Sequence, residues 1–216
     1  MHNIYSLLFV LFFLFLTGCE DKKTDSTPIA MENTTEIFTP KDKKMQQEKR
    51  KRFQEQNKVP ANVSKDNTFT LIDTQEITHT LTVVDKYISF HTINEPVIVL
   101  NFFSLNCSVC LDQMTSLSTL QKKYQNKIFV ISVLRGDSKG NAQFLKLIQE
   151  HHITHFISNS KDDEEFSEKL YTALQISTSS KLPLTVIYKE GKYYNHFEGP
   201  IPIEMIHHDI QQSIKK

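Results

Sequence analysis

Cys107-Ser108-Val109-Cys110 follows the apolar run Val97-Ile98-Val99-Leu100-Asn101-Phe102-Phe103 after only three residues. A buried strand that delivers a Cys-x-x-Cys pair to the first turn of a helix is what a dithiol/disulfide redox centre needs. The first cysteine then lies where the helix dipole and free backbone N–H groups favour a thiolate. The second lies one turn on, within reach of a disulfide and able to resolve a mixed disulfide. A purely structural disulfide closing so short a loop removes little chain entropy. A structural zinc site needs further ligands, and the chain has no second cysteine pair.

The surrounding pattern supplies the elements that must hold this pair. Phe69-Thr70-Leu71 and Leu81-Thr82-Val83-Val84 read as strands of an opening hairpin, with Tyr87 to Glu95 as a connection. Val97 to Phe103 is apolar on both faces, as a strand covered by helices requires. Met114, Leu117, Leu120 and Tyr124 recur at helical spacing and predict a helix over 108–124. Lys127 to Leu134 reads as a strand, with helices over 142–151 and 164–175. Leu184 to Tyr188 and Lys192 to Phe197 flank the Glu190-Gly191 turn as a hairpin. Ile203, Ile206, Ile210 and Ile214 line a closing helix. The order after the opening hairpin is βαβα, a helical excursion, then ββα.

The third cysteine has a separate explanation. Ile4 to Leu16 is an apolar run shorter than the roughly 20 residues of a membrane span, placed as a signal h-region is. Leu16-Thr17-Gly18-Cys19 resembles the lipobox of bacterial lipoproteins. That resemblance makes residues 1–18 a signal peptide and Cys19 the lipid-bearing mature N-terminus, an anchor in membrane lipid. Residues 19–62 read as a tether, polar at first and then rich in Lys and Arg from Lys41 to Lys58. The globular part is expected over 63–216. Export leaves the pair at 107 and 110 outside the reducing cytosol, where a disulfide persists. The 25 basic and 25 acidic residues balance, which gives no electrostatic reason to expect nucleic acid as a partner.

Asn101-Phe102-Phe103-Ser104-Leu105-Asn106-Cys107-Ser108-Val109-Cys110 resembles the active-site strand and loop of thioredoxin-fold proteins, most closely the membrane-tethered TlpA, ResA and CcmG (DsbE) group. Lys181-Leu182-Pro183-Leu184-Thr185-Val186-Ile187-Tyr188 with Glu190-Gly191-Lys192 looks like the family's cis-proline loop, strand and turn. Phe197-Glu198-Gly199-Pro200 leading into the last helix is a third likeness. The resemblance covers about residues 66–214. It implies an α/β thioredoxin-like fold, a central mixed sheet flanked by helices, here with an N-terminal β-hairpin extension. It makes Cys107 the exposed nucleophile and Cys110 the buried resolving thiol. It makes Pro183 the cis-proline facing the disulfide, and lets Leu182 offer its backbone N–H and C=O to a substrate strand. No separate cofactor is implied; the redox-active disulfide Cys107–Cys110 carries the electrons, and no metal is expected.

Three departures from the family pattern matter. Asn106, at the substrate-facing lip before Cys107, stands where most relatives have Trp. Asn101 and Gln113 stand where relatives often carry acids. An adjacent carboxylate raises a thiol's pKa and relays protons; without it, Asp112 or water is left as proton acceptor. The Ser108-Val109 dipeptide has neither charge nor histidine, which predicts a mildly lowered Cys107 pKa and a reducing centre.

Elsewhere, His151 and His155 are spaced i, i+4 but lack the glutamate of a zinc protease motif, and read as a solvated helix end. His207-His208 read as surface. Asp162-Asp163-Glu164-Glu165 read as acids at a helix N-terminus. The resemblance points to an extracytoplasmic thiol–disulfide oxidoreductase, mainly a disulfide reductase. Exported protein disulfides, including those of apocytochrome c in cytochrome c maturation, are its expected substrates, and a thiol-type membrane electron donor its expected partner. A disulfide-donating oxidant and a tethered binding or copper-handling module are the competing readings.

Overall fold

The computed structural model describes residues 67–136 and 142–215. The expectations for the signal peptide, Cys19 and the tether lie outside the described residues. Among the described residues eight strands and four helices follow one another: β1 (Thr68–Ile72), β2 (Thr78–Val84), β3 (Tyr87–Phe90), β4 (Val97–Phe103), α1 (Ser108–Lys123), β5 (Ile128–Leu134), α2 (Ala142–Glu150), β6 (Phe156–Ser158), α3 (Asp163–Leu174), β7 (Leu184–Lys189), β8 (Lys192–Glu198) and α4 (Ile203–Ile214). They build one mixed sheet of order β1-β2-β3-β8-β7-β4-β5-β6. The central strand β4 runs parallel to β5 and antiparallel to β7. All seven of its residues are buried, because helices cover both faces of the sheet.

Alternation along β4 sorts its side chains between the two faces. Ile98, Leu100 and Phe102 join Phe166, Leu170 and Tyr171 of α3 in the larger core. Val97 and Val99 meet Leu117 and Leu120 of α1 and Ile206 and Ile210 of α4 on the other side. At the C-terminal end of β4, Phe103 packs with Cys110, Met114 and Phe144 in a third cluster.

Two strands depart from the sequence reading. Tyr87–Phe90, expected as connection, is a strand paired antiparallel to β2, so the opening hairpin is a three-stranded meander. Phe156–Ser158, expected within a helical excursion, is a short buried strand parallel to β5. Three residues are too few for a periodic signal to emerge from the sequence. The meander places Phe69, Leu71, Leu81, Val83 and Ile88 against the α3 core. Its outer strand then reaches the far edge of the sheet. Asn159 N–H donates to Ile72 O at 2.6 Å, Ser160 Oγ to Thr70 O at 2.5 Å, and Thr70 N–H to Asp162 Oδ2 at 3.0 Å. These bonds tie β1 to the loop after β6 and occupy part of the backbone at that sheet edge.

The acidic run at 162–165 is at the start of α3, but two of its members hold loops. Asp162 accepts from Thr70, and Asp163, fully buried, accepts from Ser158 Oγ at 2.5 Å and Ser160 N–H at 3.1 Å. His207 is half-buried and lies 2.7 Å from the Tyr124 hydroxyl, while His208 is exposed as expected. Among the described residues no helix is long and apolar enough to cross a membrane.

Candidate redox site

β4 ends at Phe103, and the Ser104-Leu105-Asn106 turn carries the chain to Cys107, whose N–H donates to Ser104 O at 3.2 Å. Cys107 is the N-cap of α1, with extended backbone angles. Its sulfur is joined to Cys110 at 1.98 Å, with the two Cα atoms 5.2 Å apart. Cys107 is half-buried and Cys110 fully buried, so a nucleophile from solution reaches only the first sulfur. The first turn of α1 holds no acidic residue, and Lys122 and Lys123 occupy its last turn. The positive end of the helix dipole therefore acts on Cys107 without a local carboxylate to oppose it.

The loop before β7 completes the site. The Leu182–Pro183 peptide is cis, Pro183 is buried, and Leu182 packs against the cluster that contains both cysteines. Gly199 N–H donates to Lys181 O and to Pro183 O, each at 2.9 Å. That shared bond engages the carbonyls on either side of Leu182. Among the described residues nothing bonds the N–H or C=O of Leu182 itself. An extended chain laid beside Leu182 finds both groups free, the geometry of strand addition. Asn106 is exposed at the rim beside Cys107, and Val109 is 44% exposed.

The structure thus gathers Cys107, Cys110, Leu182, Pro183 and Asn106 at one end of the sheet; Cys19 lies outside the described residues. Asp112 is exposed and Gln113 buried. Gln113 Nε2 donates to Asn101 Oδ1 at 3.0 Å and to Thr185 Oγ1 at 2.7 Å. Asn101 Nδ2 donates to Ser132 Oγ at 3.3 Å. Ser132 Oγ lies 2.7 Å from His155 Nε2, and Ser118 Oγ 2.8 Å from His155 Nδ1.

His155 therefore corrects the sequence reading of a solvated helix end. It is 5% exposed, and burial lowers its pKa to about 3, so it is neutral at ordinary pH. α2 stops at Glu150, and the chain turns inward before β6. Among the described residues no three His, Cys, Asp or Glu side chains group to hold a metal. Sequence reasoning missed Ser118, Ser132 and Thr185. A signal for two of them was present: Ser132 and Thr185, like Asn101, are lone polar residues inside apolar strands.

The central mixed sheet, its flanking helices and the cis-proline loop facing a helix-capping disulfide make this a thioredoxin-like fold. One solved structure agrees. A Chlorobium tepidum protein described as a thiol:disulfide interchange protein, DsbE, superposes with a TM-score of 0.50 at 13% identity, over 70% of this chain and 96% of that one. The thioredoxin domain of a thiol-disulfide oxidoreductase from Bacteroides vulgatus gives 0.49 at 15% identity, over 73% and 100%. StoA from Bacillus subtilis gives 0.46 at 14%, over 70% and 97%. No protein-family model and no curated protein matches the chain.

Proposed function

We propose that this protein is an extracytoplasmic thiol–disulfide oxidoreductase that works mainly as a disulfide reductase, held to a membrane through a lipid on Cys19. The carrying observation is the pairing of a half-buried Cys107 with a fully buried Cys110 at a helix N-terminus, packed beside a Leu182 whose backbone groups are free.

In the dithiol form, the Cys107 thiolate attacks one sulfur of a substrate disulfide. A Cys107–substrate bond forms and one substrate thiolate leaves. Cys110, deprotonated, then attacks the Cys107 sulfur, expels the second substrate thiolate and closes the Cys107–Cys110 bond. Two electrons pass to the substrate, and its two thiolates each take a proton. Leu182 holds the substrate segment in line by two backbone hydrogen bonds. A membrane dithiol donor restores the reduced pair by the same exchange in reverse. Disulfides of exported proteins are the substrate class, with the Cys-x-x-Cys-His segment of apocytochrome c a member of it.

Reduction of insulin by wild type, Cys107→Ser and Cys110→Ser tests the reading. Wild type is expected to be active and both variants inactive. Cys110→Ser should accumulate mixed disulfides with its substrates and Cys107→Ser should not. Equal activity in all three removes the proposal.

A further inference from the structure

Charge is unevenly spread over the domain. At the end of the sheet away from the disulfide, Val97 pairs in register with Lys189 and donates its N–H to Lys127 O at 3.3 Å. Lys192 stands opposite Lys189 across the β7–β8 turn. Lys189 Nζ donates to Lys215 O at 3.0 Å, just past α4. Lys127 N–H donates to Tyr124 O at 2.9 Å, beside the last turn of α1 with its Lys122 and Lys123. Six lysines are thus gathered at one end; five are exposed and Lys189 is half-buried. Among the described residues none of the six is in an ion pair. Glu95 and Glu190 are the acids beside them, and the Asp85-Lys86 turn next to Tyr87 is neutral. The remaining described residues carry five basic and twelve acidic side chains.

We propose that this lysine end is a docking surface for anionic phospholipid headgroups, and that it holds the domain with its disulfide facing away from the bilayer. The inference rests on the reading of Cys19 as a lipid anchor, which keeps the domain within reach of such a surface.

The fold alone does not account for the cluster. The dipole of α1 favours cations at its C-terminus, which explains Lys122 and Lys123 but not the other four. Lys189 and Lys192 face each other directly across a hairpin, where like charges repel; an anionic surface relieves that repulsion. All six are lysines, and Arg135, the one arginine among the described residues, is paired with Glu164 past the opposite end of β5. Compact ammonium groups suit a diffuse negative surface, whereas nucleic-acid recognition favours the guanidinium fork. Tyr87, the register partner of Lys192, is 53% exposed, an amphipathic ring of the kind that rests at headgroup level. The 16-residue α1 separates Lys122 and Lys123 from the cysteines by about 24 Å. With the lysines on headgroups, Cys107 stands clear of the membrane and open to exported chains.

The test reconstitutes the lipid-bearing protein on vesicles of phosphatidylcholine, with or without phosphatidylglycerol, and follows acetylation of each lysine by mass spectrometry. On the anionic vesicles the six lysines are expected to react about fivefold more slowly, and Lys146, Lys161, Lys169 and Lys181 at an unchanged rate. High salt should abolish the difference. Lys122→Gln with Lys127→Gln should remove the protection of Lys189, Lys192 and Lys215, while Lys161→Gln with Lys169→Gln should leave it; insulin reduction should be unchanged in both. Equal labelling on both vesicles, or equal loss of protection in both variants, overturns the proposal. Protection by duplex DNA at the same salt as strong as that by anionic vesicles overturns the assignment to lipid. A protein without lipid on Cys19, which leaves neutral vesicles, removes the anchor reading and this inference together. A protein that stays on neutral vesicles but shows no added protection on anionic ones removes this inference alone.

Discussion

Gln113, three residues beyond the resolving cysteine on α1, donates to the Asn101 carbonyl oxygen at 3.0 Å across the interface between helix and sheet. At the two positions where an acid was absent from the sequence, the structure has a buried amide–amide contact. The bond ties the turn that carries Cys110 to the strand that delivers Cys107. Gln113→Leu leaves Asn101 Oδ1 with Thr185 alone and strips Thr185 Oγ1 of its donor. It is expected to cost about 1–3 kcal/mol, the penalty of under-satisfied buried polar groups, measured as a lower urea midpoint with unchanged slope.

Gly199 has φ +76, and a Cβ there would lie 3.4 Å from Lys181 Cβ. Gly199→Ala therefore combines left-handed strain with pressure on the loop whose carbonyls its N–H holds. The expected cost is about 1–2 kcal/mol. Insulin reduction should show a raised KM, because Leu182 is held less firmly for an incoming strand. A variant with wild-type stability and wild-type KM would contradict this role.

Val109, exposed between the cysteines, offers the Cys107 sulfur neither charge nor donor. Val109→His adds a cation within reach of the thiolate at the helix tip. The Cys107 thiol pKa is expected to fall by about one unit, read from the pH dependence of iodoacetamide alkylation. The centre should become more oxidising in the same variant.

His155 sets a pH dependence of stability. Its folded pKa of about 3 is below the ordinary 6.5 of the unfolded chain, with burial as the cause. Below pH 6.5 the unfolded state binds the extra proton, so the stabilisation present at neutral pH is lost as pH falls toward 3. The full loss is roughly 4–5 kcal/mol across that window. Urea midpoints of wild type and His155→Gln at pH 7, 6, 5 and 4 measure it. The wild-type curve should fall more steeply between pH 6 and 4, carboxylate titrations being common to both proteins.

Much of this fold is legible in the residues alone. The fully buried β4 follows from an unbroken apolar run, the α1 stripe of Met114, Leu117 and Leu120 and the Ile-lined α4 from helical spacing, and the hairpin from its Glu190-Gly191 turn. Strand Tyr87–Phe90 was not readable, because four residues are too short a segment to stand alone as a strand and it is held by its pairing with β2. Strand Phe156–Ser158 was not readable because its three residues are strand only beside β5.

The chemistry divides the same way. Residue types and spacing alone determined that two thiols stand one helical turn apart behind an apolar strand and that a Leu-Pro pair precedes another. Those are local matters of covalent order and helical rise. Which sulfur faces solvent, that Leu182 packs against the cysteine cluster, and that His155 turns inward to Ser118 and Ser132 were decided by tertiary structure. Each depends on groups distant in the chain meeting across one sheet, where burial silences one imidazole's charge and a register of strands, absent from any short stretch of sequence, aligns Asn101, Ser132 and Thr185.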